Sequence, residues 1–307
     1  MKPGKKFTKP NLSRVINGDI APKTEAENAP VPKKIRLDAA IAERFAAINR
    51  SQAAKLVVDG KVQVNGVQAS KASLQVADSD YIEADLPQKA TKTPVELPVL
   101  YEDDDVVVIN KPAGVLSHTK GDSCSEFTVA DFLRPLNQDQ AENNRTGIVH
   151  RLDRDTSGVM IGAKNEKARA KLQAQFSQRK VNKTYYAVID GHLKNDQALI
   201  NLPIRRNAKR PTTFLVKAGG REAVTAYQVK EMNNRYSLVE LKPQTGRTHQ
   251  LRVHLAHLGH PILGDRVYGT EADRLYLHAA ELEITLPNGE RKVFKSPVPP
   301  EFKVKVQ

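Results

Sequence analysis

An α+β chain built on a mainly antiparallel mixed sheet is the fold class this sequence predicts. Three observations carry that expectation. Beyond Pro98 the strand-like runs outnumber the helical ones and are not strictly interleaved with them, as a doubly wound parallel sheet would require. Ahead of them lies a short α/β stretch patterned helix, helix, strand, turn, strand, and ahead of that a polar terminus containing several prolines. The 307 residues suffice for one large and one small domain, at roughly 100–200 residues per domain.

Residues 1–32 carry Lys2, Lys5, Lys6 and Lys9 with few large apolar side chains. Such a stretch cannot bury enough surface to offset the entropy of ordering, so a flexible basic tail is expected. Its charge suits tethering to a polyanion, and a disordered end without a role fits the composition equally well. Residues 33–88 form the expected small domain. Ile35, Leu37, Ile41 and Phe45 recur at helical spacing, and Ser51 offers an N-cap to the run 52–58. Asp59-Gly60 closes that second helix, Val62-Gln63-Val64 alternates as a strand, and Asn65-Gly66 is a strong hairpin turn. Pro87, Pro94 and Pro98 mark residues 87–98 as a linker into the larger domain, residues 89–307.

In that larger domain residues 106–109, 185–189, 225–229 and 236–241 read as strands, while 166–176 and 249–258 suit helices. Ile148-Val149 and Val159-Met160-Ile161 are further runs of strand type. Between them, residues 150–158 are polar and end in Thr-Ser-Gly, the punctuation of a turn. Polar loops carried by rigid strands are where chemistry tends to sit.

The formal net charge of +13 points to a polyanionic partner, because Lys and Arg that neutralise phosphates release condensed counterions and gain affinity. Nucleic acid leads, although charge alone does not decide it. Cys124 is the only cysteine, which excludes an intramolecular disulfide framework and any multi-cysteine metal site, and suits a reducing cytoplasm. No apolar run approaches the roughly 18 residues that span a bilayer, and no signal-peptide core follows the first lysines, so neither a membrane nor secretion is expected. His249, His254, His257 and His260 invite a metal reading, but without a His-Glu-x-x-His pattern or a cysteine partner no metal is expected. Ser157, near His150 and two aspartates, lacks the Gly-x-Ser-x-Gly elbow of a hydrolase. Asp103-Asp104-Asp105 would serve a metal-dependent nuclease, yet reads better as a solvated turn.

The most informative stretch is His150-Arg151-Leu152-Asp153-Arg154-Asp155-Thr156-Ser157-Gly158. An aspartate flanked by two arginines serves more readily as a nucleophile or base than as an acid. Three more blocks accompany it. They are Asn110-Lys111-Pro112-Ala113-Gly114, Lys183-Thr184-Tyr185, and Gly246-Arg247-Thr248-His249-Gln250-Leu251-Arg252-Val253-His254 followed by Gly259-His260-Pro261-Ile262-Leu263-Gly264-Asp265. In content and order the four resemble the signature of the RluA family of RNA pseudouridine synthases. The pattern of residues 33–88, with Arg50-Ser51 and Asp59-Gly60-Lys61-Val62-Gln63-Val64-Asn65-Gly66, resembles an S-four-like RNA-binding domain.

The resemblance implies an isomerase. Pseudouridine forms when the glycosidic bond breaks, the uracil turns, and a ring carbon rejoins the sugar, with no redox change, so no cofactor is expected. Such an enzyme must hold a carboxylate against the ribose, stabilise charge on uracil and exclude water. By resemblance Asp153 is catalytic, as nucleophile or base. Asp155 is the second choice, read as a side chain that caps its own turn. Arg252 is implied to pair with the catalytic carboxylate, with Arg247 as its rival at the helix start and better suited to phosphate. Tyr185 is implied to supply the face on which a flipped uracil packs, and Tyr186, adjacent on a strand, points the other way. Arg151 resembles the arginine that displaces the target base, since a guanidinium stacks and touches phosphate at once. Arg36, Arg50, Lys55 and Lys61, together with Arg44, are available to a phosphate backbone. Family members with this N-terminal module usually modify large-subunit ribosomal RNA, so RNA of the 23S type is the implied partner, and a cytoplasmic monomer is expected. The rival from another class is a catalytically silent RNA-binding factor of ribosome assembly. Asp153, Tyr185 and Arg252 speak against it.

Overall fold

The computed structural model describes residues 34–45, 48–86, 92–119, 126–139 and 145–307. The expected basic tail and Cys124 lie outside them, as do the first residues of the expected linker. The chain divides into two compact units after Leu86.

In the first unit β1 (Lys34–Arg36) runs directly into α1 (Leu37–Arg44), followed by α2 (Arg50–Val58), β2 (Val62–Val64), β3 (Val67–Gln68), β4 (Gln75–Ala77) and β5 (Ile82–Ala84). Ile35 departs from the helical reading, because its backbone pairs with Val76 in the β1–β4 ladder. Ser51 lies inside α2 and is not its cap. Asn49 takes that place: its Oδ1 accepts the Gln52 N–H at 3.1 Å, while Gln52 Oε1 accepts the Asn49 N–H at 2.7 Å. This reciprocal box satisfies two N–H groups where a lone serine cap would satisfy one. Asn65 (φ 50°) and Gly66 (φ 77°) make the tight turn between β2 and β3. Leu37, Ile41, Leu56, Val57, Val62 and Val76 close a small core beneath the two helices.

The second unit opens with β6 (Val99–Glu102), β7 (Val106–Lys111) and α3 (Val129–Leu133), then β8 (Ser157–Ala163), α4 (Glu166–Ser177) and β9 (Asn182–Asp190). A run of strands follows: β10 (Gln197–Asn201), β11 (Ile204–Arg206), β12 (Phe214–Val216), β13 (Val224–Met232) and β14 (Tyr236–Pro243). The chain ends through α5 (Gln250–His257), β15 (Leu277–Thr285), β16 (Arg291–Lys295) and α6 (Pro300–Val304). One sheet takes the order β10-β13-β14-β9-β15-β8-β7-β6, with β16 also on β15. Every neighbouring pair is antiparallel except β15 with β8, so the mixed, mainly antiparallel expectation holds. Ile189, Val239, Leu255 and Tyr276 centre one core cluster, and Val108, Ile161, Leu172 and Ile284 another.

The loop ahead of β8 differs from the sequence reading in two ways. Gly158 is a strand residue (φ 117°), and a Cβ there would lie 2.1 Å from the Ala279 carbonyl oxygen, so this glycine serves the close approach of β15 instead of a turn. Ile148-Val149 forms no strand. Ile148 makes a single bridge to Gly162, and the next ladder donor, the Ile161 N–H, is taken at 3.1 Å by the His150 ring.

Residues 150–157 are anchored at two further points, Ser157 and Arg154. Ser157 Oγ accepts from Arg274 at 2.7 Å and donates to His278 Nδ1 at 2.9 Å, and His278 Nε2 faces the Ser296 carbonyl at 3.3 Å. This Ser–His pair is buried, with Ser157 6% and His278 1% exposed, and so is no nucleophile. At the other side Lys111, fully buried, donates to the carbonyls of Pro112 (2.9 Å), Val115 (2.8 Å) and Arg154 (2.9 Å). Burial pushes Lys111 down to about 7 while Asp155 and Asp153 oppose, and three carbonyls match the three protons of an ammonium. The Asn110-to-Gly114 turn is thereby tied to the loop that carries Asp153.

Lys111→Met retains the stem but strips three buried carbonyls of their donor. Urea unfolding should show a loss of at least about 2 kcal/mol, with the amides of residues 150–156 the first to lose protection from exchange. A second expectation concerns acid. Burial lowers His278 to about 4 and, with help from Lys183, His150 to about 3. The unfolded chain takes up these protons below about pH 6.5, the folded chain only near the lower values, so the unfolded state binds more protons across that window. Stability should therefore fall as pH drops from about 6.5 toward 4, and His278→Gln should flatten the change in urea midpoint between about pH 5 and about pH 7.

Candidate active site

Several segments converge on one cleft: the loop 150–156, the last part of α4 through Arg179, Lys183 and Tyr185 on β9, the connection after β14, the start of α5, and Leu277 of β15. Its volume is about 520 Å³. Among the described residues Asp153 is the only carboxylate that lines it, in the company of Arg151, Arg179, Lys183, Arg247 and Arg252. Asp155 is exposed and does not line the cleft. The turn between them is closed by the Thr156 N–H on the Asp153 carbonyl at 3.2 Å, so main chain does what the sequence reading gave to the Asp155 side chain.

Arg252 reaches the cleft from α5. Its Nη1 donates to Asp153 Oδ2 at 3.3 Å, but its shorter bonds go elsewhere: Nε and Nη2 donate to the two oxygens of Asp265 at 2.7 Å each. Asp265 is completely buried and also accepts the N–H groups of Val267 (2.9 Å) and Tyr268 (3.1 Å). Burial alone would raise its pKa, yet the Arg252 bonds and charge, with the two N–H groups, hold it below the usual carboxylate range. Burial likewise works against the Arg252 charge, and Asp265 and Asp153 more than offset it. The Tyr268 ring lies 5.2 Å from the guanidinium carbon. Sequence reasoning quoted Asp265 within a motif without seeing this pairing.

Asp153 is held more loosely, its side chain 18% exposed. Both of its close contacts fall on Oδ2, from Arg252 and, at 3.8 Å, from His249 Nε2. Tyr185 faces the cleft, whereas Tyr186 donates its hydroxyl to Glu240 at 2.9 Å away from it. Burial, and then the Asp153 charge, push the Tyr185 phenol far up, so it remains a protonated hydroxyl. Desolvation lowers Lys183 to about 8, with the Thr245 carbonyl 3.4 Å from its Nζ. His150 stacks on Phe176 at 4.5 Å and stays neutral as part of the wall. Arg151 is exposed at the mouth, and Arg247 lines the cleft while its Nε donates to the Glu222 carbonyl at 2.9 Å.

The five candidate cations of the first unit have different surroundings. Arg36 and Arg50 share Asp38, at 2.8 and 3.3 Å, with their own side chains 44% and 58% exposed. Hydrogen bonding from Arg36, more than any other cause, brings Asp38 down to about 2. Lys61 lies 3.6 Å from Asp85, and Lys55 is exposed. Arg44, by contrast, is committed to the carbonyls of Ala77, Asp78 and Asp80. His249, His254 and His260 bond to Tyr268, Thr225 and the Asp190 carbonyl respectively, at separate places. No cluster of three metal-ligating side chains occurs among the described residues. Among these residues no helix is long and apolar enough to cross a membrane.

With this geometry in view, the sequence matches the family profile for RNA pseudouridylate synthase over residues 105–257 and that of the S4 domain over residues 35–82. Ribosomal large subunit pseudouridine synthase D of Vibrio parahaemolyticus is 37% identical over 286 residues, 86% of this chain and 87% of that protein. An uncharacterized RNA pseudouridine synthase of Aquifex aeolicus is 38% identical over 244 residues, covering 76% and 77%. The solved structure of Human RNA Pseudouridylate Synthase Domain Containing 1 matches with a TM-score of 0.56 and 31% identity over 66% of this chain and 83% of that one. A chain this similar over most of its length, with three of the four signature blocks lining one cleft and Lys111 of the other bonded to the Arg154 carbonyl, belongs to the RluA family of RNA pseudouridine synthases and carries an N-terminal S4 domain.

Proposed function

We propose that this isomerase converts specific uridines of large-subunit ribosomal RNA to pseudouridine, with Asp153 as its essential carboxylate and the target base flipped into the cleft. The observation that carries the catalytic assignment is that, among the described residues, Asp153 alone of the carboxylates lines a cleft otherwise rich in cations. The RNA class rests on relatives such as the Vibrio protein, whose name specifies the large ribosomal subunit.

In this reading Arg252 holds Oδ2 and leaves Oδ1 to act on the ribose, as nucleophile at C1′ or as base on the sugar. The C1′–N1 bond breaks, the uracil turns against the Tyr185 ring, the C1′–C5 bond forms, C5 loses its proton and N1 gains one. Lys183, which lines the cleft, stabilises charge on the detached uracil. The Tyr185 hydroxyl, kept protonated, acts as a donor. Arg151 fills the place vacated by the base in the RNA stack. Arg247, with Arg36, Arg50, Lys55 and Lys61 of residues 33–88 and the lysines of residues 1–32, contacts phosphate, while residues 89–307 perform the chemistry. The enzyme works in the cytoplasm as a monomer and without a cofactor.

Mapping pseudouridines across cellular RNA with and without the protein should reveal sites lost from large-subunit RNA and restored by the intact chain but not by Asp153→Asn. Restoration by that variant would remove Asp153 from the reaction. In purified protein, Asp153→Asn should abolish single-turnover conversion with RNA affinity changed no more than a few-fold. Asp265→Asn should behave differently: it leaves Arg252 buried without its main partner and should cost about 3–5 kcal/mol of stability in urea titrations, against less than about 1 kcal/mol for the loosely held Asp153.

A further inference from the structure

His249 precedes α5 with a left-handed backbone, φ 57° and ψ 19°, and its side chain makes no cap bond to the helix. A non-glycine residue in that region costs about 1–3 kcal/mol and persists only where its surroundings enforce it. Here two rings flank the side chain. Phe214 and Tyr268 both stand edge-on to the imidazole at 5.6 Å.

The Tyr268 hydroxyl on one ring edge and the Asp153 carboxylate facing the other together favour one tautomer. The Phe214 N–H donates to the Tyr268 hydroxyl oxygen at 2.9 Å, which leaves the phenol hydrogen for His249 Nδ1 at 2.8 Å. Nδ1 is then an acceptor and the proton sits on Nε2, aimed at Asp153 Oδ2 from 3.8 Å. The opposite tautomer would turn a lone pair toward a carboxylate. Burial lowers the His249 pKa, with Asp153 and Asp265 opposing and Arg252 and Arg151 assisting, so the ring remains neutral and offers an N–H without competing for charge.

We propose that His249 is a positioning residue for the reaction, its Nε2–H confining the Asp153 carboxylate through Oδ2, beside Arg252, so that Oδ1 alone is presented to the ribose. This rests on the reading of Asp153 as the reacting carboxylate. The 3.8 Å contact shortens when RNA closes the site, as bonds that are long in a free enzyme commonly do. Because Phe214 belongs to β12 and bonds to Tyr268, the β11–β12 hairpin sets the angle of the imidazole.

Two substitutions separate the ring's edges. The amide of His249→Gln reaches the Nε2 position and keeps a donor for Asp153, whereas that of His249→Asn reaches only the Nδ1 position and keeps the Tyr268 contact. On the full chain with a verified RNA substrate, His249→Asn should lower the single-turnover rate about 100-fold with RNA affinity within a few-fold, and His249→Gln should recover to within about ten-fold of the parent. Nitrogen NMR should find Nδ1 unprotonated and Nε2 protonated, and Asp153→Asn should lower the His249 pKa further by removing the opposing charge. Equal rates for the two His249 variants, a proton on Nδ1, or a His249 pKa indifferent to Asp153→Asn would overturn the proposal. An active Asp153→Asn enzyme would instead refute the assignment of Asp153, whatever His249 does.

Discussion

Arg252 meets the buried Asp265 through two parallel bonds of 2.7 Å and reaches Asp153 only with the nitrogen that remains. Two unit charges at 4 Å attract by about 4 kcal/mol in a medium of intermediate polarity, and taking both ions out of water cancels much of that gain. The pair therefore contributes position more than stability. It holds one planar cation at a fixed place and angle, so that Asp153 is oriented by a group that needs nothing from Asp153 in return. At 3.3 Å and with exposure to the cleft, the Asp153 carboxylate is the more loosely held of the two.

A fixed cation is useful only if the opposing loop is fixed as well. Residues 150–156 have no regular structure, yet polar anchors bracket them. Lys111 gathers carbonyls from both sides of the loop contact, and Ser157 is locked to Arg274 and His278 where β8 begins. Gly158 then lets β15 approach β8 closely enough for the one parallel pairing in the sheet. Rigid ends around a polar turn allow a short segment to present Asp153 inward and Asp155 outward. Among the described residues the cleft thus contains a single carboxylate in spite of two in the motif.

Much of this was legible in the sequence wherever the signal is local. Runs rich in β-branched and aromatic residues located β7, β9, β13 and β14, helical patterning located α4 and α5, and strand alternation sent Tyr185 and Tyr186 to opposite faces. The motif resemblance brought Asp153 and Arg252 together, which spacing alone could not have done. What stayed hidden depends on distant partners. Ile35 has the spacing of the helix that follows it, and only its pairing with Val76 makes it a strand residue. Asn49 and Ser51 are both good caps, and the choice turned on the reach of Gln52. Lys111, Asp265 and His278 are buried polar residues whose roles come from groups far along the chain, and no periodicity marks such residues. His249 was seen as one histidine among four until its neighbours gave it a tautomer.

The central claim is that the cleft receives a flipped uridine with its ribose at Asp153 Oδ1. The most direct measurement is a crystal structure of the full chain bound to an RNA whose target uridine is replaced by 5-fluorouridine, since fluorine blocks loss of the C5 substituent and retains the nucleotide. The account predicts an extruded base packed on Tyr185, with Oδ1 of Asp153 the nearest carboxylate oxygen to the ribose and Oδ2 still on Arg252. A target base left stacked in the RNA, or a sugar that meets Asp155 or Oδ2 first, would contradict it.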